Sequence, residues 1–211
     1  MRKPIKKIIA HLDPDLRDLT PRYLRNREKD IKTIIQSIET TGFDEENDKI
    51  ITIQYMALDE ETGKPAGQLK ILKEWESDEK TILKRFIEDF VPGNQWAFIP
   101  IGFNLQFEHK FLWQRCISNG LQPIDILNGP FLDLKTVAVL MNKGEFKGAA
   151  LHNITNKPHG GGNIPQLYAE KKYEEIESYI KRETEEFTTF CTRLYKELPQ
   201  LFERLKNSRE V

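Results

Sequence analysis

The chain has 211 residues, 38% of them hydrophobic, enough for one domain with a sizeable core. A formal net charge of −1 excludes a globally basic, nucleic-acid-coating protein, so any nucleic-acid contact must come from local patches. No apolar run approaches the ~20 residues that span a bilayer and the N-terminus carries no signal-peptide pattern, so the chain reads as intracellular and cytoplasmic, without a membrane partner.

In chain order, residues 1–32 read as a basic N-terminal extension with a helix near 15–30. A solvated helical face and a nucleic-acid-contacting arm both fit its charge. Residues 33–211 read as one further domain. Three strands are predicted over 33–40, 49–58 and 68–73, the last two joined across the turn-rich 59–65. Ser77 suits an N-cap, with Asp78 and Glu79 in the first turn of a helix reaching Phe90. Ile82, Leu83, Phe86, Ile87 and Phe90 keep helical spacing there, and Pro92-Gly93 closes it. A fourth strand is predicted over 96–101 and a helix over 105–119, stopped by Gly120. Residues 132–142 and the stretch around 149–155 look helical, and 159–163 is a flexible loop. A last helix runs from 173 to about 198, where Pro199 interrupts it. A meander, a helix, a strand and more helices make an α/β order. Cys116 and Cys191 show neither metal-type spacing nor a disulfide framework and fall in apolar helical patterns, so both read as core.

Three constellations carry chemistry. On the first strand, alternation puts Ser37 and Glu39 on one face and Ile34, Gln36 and Ile38 on the other. With Ile38 in the core, Glu39 stands over the opposite surface. On the 105–119 helix, Glu108 shares a stripe with Phe111, Leu112, Arg115 and Cys116. An inward carboxylate costs several kcal/mol unless it is paired or metal-bound, offset in part by its first-turn position. Asn104 suits the N-cap of that helix. On the last helix the stripe Ile176, Tyr179, Ile180, Phe187, Phe190, Cys191 and Leu194 has one gap, filled by Glu183, four residues after Tyr179. His11, His109, His152 and His159 form no metal spacing and read as structural or surface residues. Phe43, Phe103, Phe107 and Tyr179 could serve as stacking surfaces or as core.

The segment Gln36-Ser37-Ile38-Glu39-Thr40-Thr41-Gly42-Phe43, followed by Asp48–Tyr55, resembles the first motif of the DnaQ-like (DEDD) 3'–5' exonucleases, Asp-x-Glu-Thr-Thr-Gly. Ile101-Gly102-Phe103-Asn104-Leu105-Gln106-Phe107-Glu108 resembles the second motif, Gly-(aromatic)-Asn-x-x-Phe-Asp. Tyr179-Ile180-Lys181-Arg182-Glu183 resembles the Tyr-x-x-x-Asp motif of the DEDDy subgroup. Leu132-Asp133-Leu134 and Phe146–Leu151 are similar to the corresponding region of exonuclease domains related to family B DNA polymerases. The resemblance covers about residues 33–198 and leaves the extension unexplained.

It implies an RNase H-like mixed sheet with flanking helices. It also implies Glu39, Glu108, Tyr179 and Glu183 as catalytic residues, the three glutamates as metal ligands, and Thr40, Phe43 and Asn104 as substrate contacts. In such a family two Mg²⁺ or Mn²⁺ ions drive in-line hydrolysis at a 3' end. The partners implied are single-stranded nucleic acid or its 3' ends and a replication or repair protein. The departures matter. Ser37 occupies the position of the bridging Asp and brings no charge. Glu108 and Glu183 carry one methylene more than Asp, in a site where a 1 Å displacement can cost ~10²-fold. The expectation is therefore a nucleic-acid-processing or nucleic-acid-binding protein of this fold with a partly degenerate site and no obligatory metal. The alternative is an active metal-dependent exonuclease using Glu39, Glu108 and Glu183.

Overall fold

A computed structural model describes residues 32–91, 98–155 and 161–207. The expected 15–30 helix, the Pro92-Gly93 stop, His11 and His159 lie outside these. Five strands form one mixed sheet in the order β3-β2-β1-β4-β5: β1 (Lys32–Thr40), β2 (Ile50–Ala57), β3 (Lys70–Lys73), β4 (Phe98–Gly102) and β5 (Leu132–Asp133). β2 runs antiparallel to β1 and to β3, whereas β4 lies parallel to β1 and β5 parallel to β4. The helices are α1 (Glu79–Phe90), α2 (Leu105–Ser118), α3 (Leu134–Met141), α4 (Leu151–Ile154), α5 (Ile164–Ala169) and α6 (Tyr173–Asn207). Together they make an α/β, RNase H-like sheet with flanking helices. No helix among the described residues is long and apolar enough to cross a membrane.

β1 is central, and its period of two feeds two separate cores. Ile34 and Ile38 pack with Ile53, Phe86, Phe90, Phe111 and Leu112, under α1 and α2. Ile35 packs on the other side with Met56, Leu134, Leu151, Phe187 and Leu194, under α3, α4 and α6. A bulge lets β2 serve both sides: Glu39 faces Thr52 but Thr40 faces Ile50, so Ile51 is an extra residue. Ile50 therefore stays in the α1/α2 core, while Ile51 turns to Ile176, Tyr179 and Ile180 on α6. Both cysteines are buried and free, and burial pushes their thiols up, to about 11 for Cys116 and about 12 for Cys191.

One buried carboxylate ties the bulge to both helices of its side. Glu79 accepts from Arg115 Nε and Nη2 (2.9 and 2.8 Å), from Asn119 Nδ2 (3.0 Å) and from the backbone N–H of Ile50 (2.8 Å). This explains why Arg115, a cation, stands on the inward stripe of α2. On the opposite side, the 59–65 turn docks on α6. Gly63 sits at φ 64°, where a Cβ would come 2.6 Å from the Tyr195 ring, and its carbonyl accepts from Thr192 Oγ1 at 3.0 Å.

The element boundaries differ from expectation in instructive ways. Asp78, not Ser77, caps α1, accepting from the Thr81 N–H, because Ser77 closes a 3₁₀ turn over Glu74–Glu76. The expected 132–142 helix begins as a two-residue strand, since Ile101 and Gly102 pair with Leu132 and Asp133 before Asp133 caps α3. The 149–155 stretch is a single helical turn. Within the expected loop, Gly161–Asn163 is a 3₁₀ turn leading into α5, which has Pro165 in its first turn where the missing N–H is harmless. α6 continues through Pro199 to Asn207. The proline removes one i→i−4 bond, but Leu198 and Leu201 beside it are exposed, so no tightly packed segment suffers.

Glu79→Ala should lower unfolding free energy by about 3 kcal/mol, because it strands the Arg115 guanidinium and the Ile50 N–H together. Urea denaturation at neutral pH measures this, and a loss below about 0.5 kcal/mol would show the network to be dispensable.

Candidate nucleic-acid site

A cavity of about 320 Å³ lies against β1, between the sheet and α6. Strand alternation brings Ser37 and Glu39 to its wall, and Gln54, the Cα partner of Ser37 across the ladder, joins them from β2. α6 contributes Tyr179, Glu183 and Phe187, one turn apart on a single stripe. Gly161 belongs to the same wall: a Cβ there would come 2.8 Å from Tyr179 Oη and push against that hydroxyl. The following α5 is anchored by Lys49, which donates to Tyr168 (2.8 Å) and to Glu74 (2.7 Å).

Phe43 lines the cavity yet is 84% exposed, edge-on to Phe107 at 6.2 Å. It rides on a turn organised by Asp48, whose carboxylate accepts from Thr41 Oγ1 and the Asp44 N–H, both at 3.0 Å. Gly42 makes room for that carboxylate, because a Cβ there would sit 2.2 Å from Asp48 Oδ2 and displace it. Thr40 donates to the Gly42 carbonyl at 2.5 Å and also lines the cavity.

Glu108 reaches the cavity from α2 and is only 4% exposed. Gln36 Nε2 donates to Glu108 Oε2 at 3.1 Å. Burial, then the negative charges of Asp133, Glu183 and Glu39, push the Glu108 carboxyl well above its ordinary 4.5. A Glu108 that keeps its proton is also a donor beside Gln36 Oε1, which has no partner among the described residues.

The structure thus gathers Ser37, Glu39, Thr40, Phe43, Glu108, Tyr179 and Glu183 on one cavity, and leaves Asn104 off its wall. Asn104 holds the N-cap position of α2 at φ 72° but makes no side-chain cap. Asp133 of β5 supplies it instead, accepting from the N–H groups of Asn104 (2.9 Å) and Leu105 (3.1 Å), while Asn104 Oδ1 accepts from Lys135 Nζ (3.2 Å). His109 faces Asp125 at 3.5 Å, and neither it nor His152 lines the cavity.

Against the donor set of the motifs, one position lacks a carboxylate. A neutral hydroxyl stands at position 37, and Glu108 is buried against an amide. Among the described residues no three His, Cys, Asp or Glu side chains gather as a metal-binding group. Three polar residues of the site were not singled out from sequence: Gln36, Gln54 and Asp133. Gln36 and Gln54 could have been flagged as polar residues inside apolar strands. The double capping by Asp133 depends on a strand pairing that two residues do not announce.

No protein-family model and no curated protein sequence matches this chain. Among solved structures, it is similar to E. coli exonuclease I in complex with a dT13 oligonucleotide, at TM-score 0.58 and 12% identity over 83% of this chain and 43% of that one. A second E. coli exonuclease I structure, in complex with a 5cy-dT13 oligonucleotide, aligns at TM-score 0.43 and 12% identity over 53% of this chain and 30% of that one. The chain therefore spans less than half the length of these proteins. The first likeness, at 12% identity, establishes the fold alone, an RNase H-like mixed sheet with flanking helices.

The Glu108 shift has a testable sign. Between 4.5 and its raised folded value, the native state holds a proton that the unfolded chain has released, so stability falls as pH rises through that window. Glu108→Gln is neutral at every pH. It should be more stable than wild type at about pH 7, with the difference shrinking towards pH 4.5, as read from urea midpoints. Identical pH slopes in the two proteins would contradict a protonated Glu108.

Proposed function

We propose that this chain binds single-stranded nucleic acid at its 3' end, in a DEDDy-type exonuclease site that has lost efficient two-metal hydrolysis. The observation that carries this reading is the cavity wall. It joins Glu39, Glu108, Tyr179 and Glu183 with a neutral Ser37 where the motif calls for the bridging carboxylate. The exposed Phe43 ring at the same cavity supplies a face on which a base can stack. Tyr179 and Glu183, one turn apart on α6, support placement in the DEDDy subgroup. The segments around Asp133 and Phe146–Leu151 support kinship with the exonuclease domains of family B DNA polymerases. A replication or repair protein is the matching protein partner, and the cytoplasm the matching compartment.

In this reading the chain's own residues do the following work. Phe43 stacks on a base near the strand end, and Thr40 stiffens the turn that carries it. The Tyr179 hydroxyl, approached closely by Gly161, faces the strand's terminus. Glu108, accepting from Gln36 Nε2, holds α2 against β1. Mg²⁺ or Mn²⁺ bound by Glu39 and Glu183 would supply charge for phosphodiester hydrolysis, but the residues present do not make a two-ion site. One observation favours the second reading, an active metal-dependent 3'–5' exonuclease: Glu39, Glu108, Asp133 and Glu183 lie near enough together for three of them to perturb the fourth.

Two measurements test this. Phe43→Ala should weaken binding of a 5'-labelled single strand about tenfold without changing the melting temperature, within the ~1–3 kcal/mol of a base–aromatic stack. Ser37→Asp should raise Mg²⁺- or Mn²⁺-dependent 3'–5' degradation about 10²-fold over a slow or silent wild type, and Glu108→Gln in that background should abolish the gain. Robust wild-type digestion that disappears in Glu39→Gln would establish the enzyme reading instead.

A further inference from the structure

The cavity contains a buried donor that nothing in the site's proposed chemistry uses. Gln54 is 3% exposed and lines the cavity directly across the β1–β2 ladder from Ser37. Its Oε1 accepts from the Thr52 hydroxyl at 3.0 Å, which orients the amide. The other end, Nε2, has no hydrogen-bond partner among the described residues. A buried N–H without a partner is disfavoured, and a donor held open on a cavity wall is arranged for an acceptor that comes from outside.

The surroundings narrow what that acceptor belongs to. Glu39 and Glu183 line the same cavity, so an incoming phosphate oxygen would meet like charge. Ile35, Met56, Leu69 and Phe187 supply apolar walls suited to a flat ring. About 320 Å³ is room for one small group rather than for a length of strand. A neutral carbonyl on a flat, mostly apolar ring satisfies all three conditions, and a nucleobase is such a group.

We propose that Gln54 is a specificity residue: its amide N–H donates to a carbonyl oxygen of the terminal base of a bound strand. This rests on the reading of the site as a binder of single-stranded 3' ends. Thymine, uracil, cytosine and guanine carry such an oxygen, and adenine does not. The chain therefore prefers strands ending in a carbonyl-bearing base. Ser37 matters here for what it is, since a small neutral residue opposite Gln54 leaves the donor open. An aspartate at position 37 would offer a carboxylate to the same N–H.

The test compares two otherwise identical 5'-labelled oligothymidine strands by fluorescence anisotropy without added divalent metal. One ends in thymidine and the other in its 2,4-difluorotoluene isostere, which keeps the ring's shape and lacks its carbonyls. Wild type should bind the thymine-ended strand about tenfold more tightly, because a site built around a donor discriminates against a ligand that leaves it unpaired. Gln54→Met, of similar shape without the donor, should bind both strands equally while keeping affinity for the isostere. Equal wild-type affinity for the two strands would overturn the assignment of Gln54 while leaving the strand-binding reading intact, and it needs no variant to fold. Failure of wild type to bind either strand would overturn the strand-binding reading, and the role of Gln54 with it.

Discussion

The period-two alternation of a single central strand, covered on both faces, organises this molecule. β1 is hydrogen-bonded to β2 along one edge and to β4 along the other, and helices pack on both of its faces. Ile34 and Ile38 commit one face to α1 and α2, and Ile35 commits the other to α6 and its neighbours. Once those isoleucines are placed, Ser37 and Glu39 have nowhere to go but under α6, and Gln36 must point at α2. The site follows from that division. Slipping β1 by one residue would exchange the two sets and bury Glu39 among phenylalanines.

This explains why much of the architecture was legible beforehand. Strands with branched apolar residues at alternate positions and helices with unbroken apolar stripes declare both their type and their inward face. Glu108 and Glu183 stood out because each is a carboxylate on such a stripe. The parts that were missed depend on contacts distant in sequence. β5 is two residues long and exists because Ile101 and Gly102 offer it an edge; nothing in Leu132-Asp133 distinguishes it from the helix that follows. The cap of α2 comes from Asp133, across the sheet, rather than from the Asn104 that local pattern favours. Pro199 reads as a stop, but a single missing N–H near an exposed end does not end a helix as long as α6.

Electrostatically, the site is acidic. Glu39, Asp133 and Glu183 raise the Glu108 carboxyl, and burial raises it further. An arrangement that kept a bridging carboxylate would draw in cations to offset this charge. Here the position carries a hydroxyl, Gln36 Nε2 donates to Glu108, and burial together with the neighbouring carboxylates pushes the Glu108 carboxyl up. The cavity and the exposed Phe43 ring at its mouth do not depend on a charge at position 37.

Crystals soaked in Mn²⁺, with a short oligothymidine bound, give the most direct measurement through anomalous scattering, which counts ions at the site. The proposed reading, with Ser37 at the bridging position, predicts no pair of ions there and at most a single weak peak near Glu39 and Glu183. Two strong peaks about 3.5–4 Å apart, sharing ligands with Glu39 and Glu108, would contradict it and mark the site as a working two-metal nuclease.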